Sequence, residues 1–309
     1  MSINFEWYKI FYFAAKTGSY TRAAEALFVT QSSISQTIRQ LEETLGVKLF
    51  ARAGRGVKLT AEGHGLYDHV EQAYHLLVSG EQYMSSMQSL QTGQIRIGAS
   101  DTISKYNLLK YLRKFHEDWP NIRIGINNRP SPVSVELAKK GEIDLGVINL
   151  DPDKPYDGLM VHPLTRIRNV FIAPAAWRDQ FMGPVSLGQL EGFPIVALEQ
   201  NSTTRRIFEK YKKEHGANLH VEFEFGSMDL IVEMTRIGMG VGFVAESAAR
   251  AAILSGDVVR LQINEPIPQI EVGVVHSDRI PLNLAAQKML ELMLDKDFRQ
   301  AMNESERHI

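Results

Sequence analysis

The sequence predicts a small helical head ending in a hairpin, then one long helix, then a larger α/β zone. Three observations carry this. The first sixty residues hold helix-period apolar patterns punctuated by glycine. Residues 60–91 contain no proline and repeat apolar or small residues every three or four positions. From Gly93 onward, short apolar runs alternate with helical patterns. At 309 residues the chain is about twice the size of a common single domain, so more than one domain is expected.

In the head, Phe5, Tyr8, Phe11, Tyr12 and Ala15 recur at helical spacing up to Gly18. A short helix is expected from Thr21 to Phe28 and a longer one from Ser32 to Leu45, with Gly46 where a C-cap glycine belongs. Ala51–Leu59 reads as a tight hairpin with Arg52, Gly54, Arg55 and Gly56 near its tip. In the long helix, Leu66, Val70, Ala73, Leu77, Gly80, Met84 and Met87 step alternately by four and three, the heptad seam of a helix that pairs with another helix. About 30 residues would span ~45 Å. The alternative is a surface helix packed on its own domain.

Strands are expected at Gln94–Ala99, Ile122–Asn127, Leu145–Ile148, Val170–Ala173, Ile195–Leu198, Val221–Phe225, Val241–Val244 and Ile270–His276. Helices are expected at Ser104–Glu117, Ser134–Lys140, Thr204–His215, Met228–Ile237 and Asn283–Phe298. Such alternation argues for a mostly parallel sheet covered by helices on both faces. The zone is large for one layer. Two lobes follow, with chain crossings near Leu164 and near Pro266–Pro268.

Composition narrows the function classes. Lys plus Arg number 34 and Asp plus Glu 36, a net charge of −2, so this is no uniformly basic nucleic-acid coat. The head alone carries more basic than acidic residues. Without cysteine there are no disulfides, thiolate metal sites, Cys nucleophiles or thiol redox switches. Glu6, Lys9 and Lys16 interrupt any secretory signal, and no apolar run approaches the ~18 residues a membrane helix needs. A cytoplasmic protein with no membrane partner is expected.

The most specific signal spans Thr21 to Gly46. Ala23 and Ala24 are small enough for two helices to cross; Leu27, Val29, Ile34, Ile38 and Leu41 suit a core-facing stripe. The second helix opens with short polar side chains, Thr30, Gln31, Ser32, Ser33, Ser35 and Gln36, with Arg39 one turn on. Gln can bond adenine in two places, Ser and Thr several bases, and Arg guanine or phosphate. A merely solvated polar face is the plain alternative. The hairpin basics Arg52, Arg55 and Lys58 weigh against it, because a basic wing beside a recognition helix suits backbone or minor-groove contact.

This run resembles the winged helix-turn-helix of LysR-type transcriptional regulators. The resemblance rests on Ala23-Ala24, Leu27, Gln31, Ser35, Ile38, Leu41-Glu42, Leu45-Gly46, Leu49-Phe50, Arg52, Arg55, Leu59-Thr60 and Gly63. It implies a DNA-binding domain over 1–60 and a dimerisation helix over 61–91, paired through Leu66, Val70, Ala73, Leu77 and Met84. An effector domain like the two-lobed periplasmic binding proteins would fill 92–309, with lobe I at 93–163 and 268–309 and lobe II at 164–267. Double-stranded DNA, a homodimer or homotetramer, and RNA polymerase as a candidate further partner go with it.

Two loops in the α/β zone precede helices: Gly98–Thr102, with Ser100, Asp101 and Thr102, and Asn201-Ser202-Thr203-Thr204. Free N–H groups and hydroxyls at a helix N-terminus favour anionic ligands. On the residues alone, ordinary N-capping explains both loops more simply, and Asp101 would oppose an anion. The resemblance implies instead that an effector, an organic acid or similar metabolite, lies between the lobes against these loops. Asn149 and Gly226, each just after an expected strand, are weaker candidates that ordinary strand-end loops explain equally well.

Gly238-Met-Gly-Val-Gly242 follows a helix and opens a strand, the reverse of a dinucleotide loop, and reads as a helix stop with close packing. No Walker A, HExxH or GxSxG pattern occurs, and His116, His162, His215, His220 and His276 read as isolated. Glu42-Glu43 reads as a solvated helix face. An enzyme, a metal and a cofactor beyond the effector are therefore not expected. A cytoplasmic solute-binding receptor without DNA-regulatory role is the alternative to a ligand-responsive transcription factor.

Overall fold

A computed structural model describes residues 4–54, 56–87 and 93–300. The chain divides into two compact units, Met1–Glu81 and Gln82–Ile309. No helix among the described residues is long and apolar enough to cross a membrane.

In the smaller unit, α1 (Phe5–Thr17), α2 (Tyr20–Leu27) and α3 (Gln31–Leu45) precede a hairpin of β1 (Phe50–Ala53) and β2 (Gly56–Leu59), then α4 (Ala61–Met87). Each of the first three helices starts on an Asn, Ser or Thr whose side chain accepts an N–H of the first turn: Asn4, Ser19 and Thr30. Each ends on a residue in the left-handed region: Gly18, Phe28 and Gly46. Phe11, Tyr12, Ala23, Ala24, Ile34, Ile38, Leu41 and Leu49 form the core. Val29 does not join them: it is exposed, as the chain turns outward after the αL residue.

Helix α4 shares this core. Val70 is buried and Leu66 half-buried against it, and Tyr12 stacks on Tyr67 and Tyr74 with centroids 5.9 and 4.4 Å away. The first half of the expected pairing seam is thus covered within the chain, because the aromatic side of α1 needs an apolar cover. Ala73, Leu77 and Met84 remain exposed. The side chain of Met87 and the expected helix end at Gln91 lie outside the described residues, as do 301–309 of the expected first lobe.

The larger unit opens with β3 (Gly93–Ala99), a helical stretch of α5 (Asp101–Ile103), a π turn at Ser104–Leu108 and α6 (Leu109–Asp118). There follow β4 (Ile122–Asn128), α7 (Ser131–Lys139), β5 (Leu145–Asn149), β6 (Leu159–Ile167) and β7 (Asn169–Pro174). Next come β8 (Ile195–Leu198), α8 (Thr203–Glu214), β9 (Val221–Phe225), α9 (Met228–Arg236) and β10 (Val241–Ala245). The unit ends with α10 (Glu246–Ser255), β11 (Val258–Arg260), β12 (Ile270–Ser277) and α11 (Leu284–Leu294).

These strands make two sheets, ordered β4-β3-β5-β12-β6 and β11-β7-β10-β8-β9, one per lobe, each with apolar clusters on both faces. The sheets are mixed rather than mostly parallel. Strands β3, β4 and β5 run parallel, as do β8, β9 and β10, whereas β12 runs antiparallel to β5 and β6, and β7 to β10 and β11. The physical cause is the double crossing: strands that enter a lobe from its neighbour arrive without a crossover helix, and only antiparallel pairing is then open to them.

Strand β6 pairs with β12 through Ile167↔Ile270, so the first crossing falls at Arg168 rather than near Leu164. The return lies between Arg260 and Ile270, around Pro266–Pro268. Sequence periodicity missed β6, an edge strand interrupted by Pro163, which such strands tolerate. It also missed the three-residue β11 and the alanine-rich α10. Gly240 allows the close approach expected of its segment: a Cβ there would stand 2.4 Å from the carbonyl oxygen of Pro194.

Candidate functional site

In α3, burial follows the helical period. Ile34, Ile38 and Leu41 face the core, and Thr30, Gln31, Ser32, Ser33, Ser35, Gln36 and Arg39 are exposed. Two of these also serve the helix start. Thr30 Oγ1 accepts the Ser33 N–H at 3.2 Å and lies 2.9 Å from Ser32 Oγ. Arg39 pairs with Glu43 at 2.9 Å, both ends in solvent, a pair weak enough to exchange for phosphate.

The hairpin carries Arg52 and Lys58 exposed; Arg55 lies outside the described residues. Strand pairing sets Ala51 opposite Lys58 and Arg52 opposite Val57. Side chains alternate along a strand, so Arg52 and Lys58 project from opposite faces of the ribbon. The basic cluster read from sequence is split between two faces.

Glu42 is not on a solvated face. It is buried, accepts the N–H groups of Leu49 at 2.8 Å and Phe50 at 3.2 Å, and pairs with Lys48 at 2.7 Å. Burial works to raise its pKa, but the Lys48 and backbone hydrogen bonds outweigh it and hold the carboxyl below its ordinary value. Burial, with the Glu42 charge second, pushes the Tyr20 hydroxyl up to about 12. The carboxylate ties the end of α3 to the root of the hairpin.

In the larger unit a 410 Å³ cleft opens between the two lobes. It is lined by Ser100, Asp101, Thr102 and Asn149 from the first lobe, and by Ser202, Thr203 and Gly226 from the second. Thr204 lines it too, so eight of the nine residues singled out from sequence converge. Asn201 does not line it; it is exposed on the turn before α8. The convergence follows from strand direction. β3, β4 and β5 end at one edge of their sheet, β8 and β9 at one edge of theirs, and ligands collect outside such carboxyl ends. By the same rule the loop after β4, with Asn128, Arg129 and Ser131, was findable; it and Glu199 also line the cleft.

The cleft is polar and partly self-satisfied. Ser100 and Ser202 cap the helices that follow them, accepting N–H groups at 3.5 and 3.0 Å. Asn128 Nδ2 donates to Asp101 Oδ1 at 2.6 Å, which satisfies one acceptor position of that carboxylate. The Asn149 N–H donates to Ser131 Oγ and its Nδ2 to Thr204 Oγ1, each at 3.0 Å, the second bond crossing from lobe to lobe. Asn149 Oδ1 is buried and has no hydrogen-bond partner.

Further bonds join the lobes around the cleft. Tyr106 donates to Asp229 Oδ1 at 2.6 Å, and Lys105 meets Oδ2 at 2.9 Å. Arg206 pairs with the buried Asp151, and Lys210 with Asp153 at 2.6 Å. Two histidines read as isolated also meet: His162 and His276 bring their Nε2 atoms to 3.2 Å. Burial first, and the neighbouring imidazole second, hold the His162 pKa below its ordinary value.

Comparison with known proteins agrees with this geometry at both ends of the chain. Residues 5–64 match the bacterial regulatory helix-turn-helix protein, lysR family, and residues 88–297 match the LysR substrate binding domain. A probable RuBisCO transcriptional regulator of Porphyra purpurea is 26% identical over 91% of this chain and 84% of its own. The HTH-type transcriptional activator CmpR of a Synechocystis species is 25% identical over 94% of each. Among solved structures, ArgP from Mycobacterium tuberculosis superposes with a TM-score of 0.70 at 18% identity over 97% of each chain. CbnR, a LysR family transcriptional regulator, does so with 0.63 at 19% identity, over 94% of this chain and 98% of its own. The unit that carries the exposed polar face of α3 and the unit that carries the two-lobed cleft are each matched by their own family pattern, and the chain belongs to the LysR family of transcriptional regulators.

Proposed function

We propose that α3 reads base edges in the major groove through Gln31, Ser32, Ser33, Ser35 and Gln36. Thr30 and Arg39 would position it on the backbone, and Arg52, Arg55 and Lys58 would serve as phosphate-contacting cations of the wing. The face is exposed, short and polar, and rigid because its other side is core. A second copy would pair along α1 and α4, where Phe5, Tyr8, Ala73 and Leu77 line a 490 Å³ groove of mainly apolar character. The dimer would present two recognition helices to the half-sites of a pseudo-palindrome. Regions 1–60, 61–91 and 92–309 would then serve DNA binding, dimerisation and effector binding.

The effector would occupy the inter-lobe cleft against Ser100, Asp101, Thr102, Asn149, Ser202, Thr203 and Gly226. The single observation that carries this is the buried, unpartnered Asn149 Oδ1 beside a bond joining the lobes. A ligand that supplies a donor there satisfies an atom that is costly to leave bare, and touches both lobes at once. Arg129 suits a carboxylate, while Asp101, Glu199 and Asn149 Oδ1 ask for donors. A small organic acid bearing hydroxyl or amino groups fits that pattern. Binding would shift the equilibrium between lobe arrangements and so the regulator's activity.

The test is a thermal-shift screen of hydroxy and amino acids on the full-length protein, repeated with Asn149→Leu. A hit should raise the melting temperature of the wild type by mass action and leave the variant unmoved. A hit that stabilises both equally would remove the cleft assignment.

A further inference from the structure

We propose that Phe28, at the turn between α2 and α3, is a base-reading residue that packs on the 5-methyl group of a thymine at the edge of each half-site. Three observations meet at this residue. It is 96% exposed, the most exposed of the large apolar side chains among the described residues. Its backbone lies in the left-handed region at φ 56°, and among the described residues no other non-glycine has positive φ. It stands two residues before Thr30, the cap of α3.

The fold explains neither the residue nor its exposure. All three head helices end on an αL residue, and α1 and α3 use glycine there, which adopts that conformation without a Cβ penalty. At the end of α2 the same geometry is imposed on a phenyl side chain, while the cap N–H bonds to Ala24 and Glu25 ask nothing of that side chain. Glycine or asparagine would make the same turn with less strain and without bare apolar surface. A strained residue that the local structure does not need points to a contact made elsewhere.

Position and chemistry select the contact. A recognition helix enters the major groove with its N-terminal end leading, and Phe28 is at that end of α3. A phenyl ring makes no hydrogen bond. In the major groove the apolar feature of a base pair is the thymine methyl, so a ring there distinguishes thymine from the other bases.

This rests on α3 being the groove-entering helix, and the test separates the two claims. Full-length protein is used to enrich a duplex from a random-sequence pool, and each thymine of the winner is replaced singly by uracil, which removes the methyl alone. At one outer thymine per half-site the replacement should weaken the wild type about fourfold, the worth of one buried methyl. It should weaken Phe28→Asn not at all, and the variant should bind the parent duplex less tightly than wild type. Asparagine tolerates the αL turn, so the variant's melting temperature should match or exceed the wild type's. If Phe28→Asn binds the parent duplex like wild type, or keeps the same loss at every uracil, the contact is elsewhere and the proposal is overturned. If wild type enriches no sequence, the reading of α3 falls and takes this proposal with it.

Discussion

Glu42 and Glu43 are adjacent carboxylates with opposite fates. Nothing in the order of the letters separates them, because which side of α3 meets the hairpin is decided by strands that follow. Glu42→Ala would leave the buried N–H groups of Leu49 and Phe50 without acceptors, at a cost on the order of 2–3 kcal/mol measured by denaturant unfolding. The same carboxylate predicts acid sensitivity. Its folded pKa lies below the ordinary 4.5, so its stabilisation is complete above that value and is lost as the pH falls through the folded pKa. A melting curve of Glu42→Ala should therefore converge on the wild type's in acid, and a constant gap would contradict the account. His162 has the same sign at higher pH. Because the His162 pKa is depressed, stability should be full above 6.5 and decline as the pH drops below it. His162→Gln should flatten that decline in a pH series of melting temperatures.

At the scale of elements, α3 was legible because its polar opening, its 3.6-residue apolar stripe and its glycine stop all agree. The hairpin was legible as a hairpin, while the facing of its cations depends on the strand register that pairs Ala51 with Lys58 and Arg52 with Val57. Gln31→Ala should relax sequence choice, with a loss of about 1–3 kcal/mol on the selected duplex and little on random DNA. Arg52→Ala should weaken both DNAs alike and lower the salt slope by about one. Lys58→Ala, on the other face of the ribbon, should lower the salt slope as well; an unchanged slope would show that only the Arg52 face touches backbone. Gly63 shows how a loop-like residue can belong to a helix: a Cβ there would stand 2.1 Å from the Leu49 carbonyl oxygen. Gly63→Ala should cost about 1–3 kcal/mol by prying α4 from the hairpin, although alanine is the better helix former.

Within the larger unit, the two lobes are held by bonds between residues more than fifty positions apart, such as Asn149 with Thr204 and Tyr106 with Asp229. Burial tends to raise the Asp229 pKa, but the Tyr106 and Lys105 hydrogen bonds prevail and lower it, so both partners hold a charged carboxylate at neutral pH. Asp229→Asn weakens this clasp without touching either core. Hydrogen exchange around residues 105–106 and 228–230 should quicken about fivefold, the worth of ~1 kcal/mol for a partly exposed pair. Unchanged exchange would show that the cores alone set the lobe arrangement. The π turn at Ser104–Leu108 carries Tyr106 and Lys105, and an expected plain helix from Ser104 could not have announced it.

The order of letters alone determined the helix-turn-helix, the existence of the long helix, most strands, and the loops that meet in the cleft. These depend on short-range periodicity, caps and strand ends, which neighbours in the chain settle among themselves. Tertiary structure decided the mixed direction of the sheets, the crossing at Arg168, the burial of Glu42, the meeting of His162 with His276, and the bare oxygen of Asn149. Each of those depends on which surfaces the chain brings together across many residues, and a one-dimensional pattern holds no record of that partner.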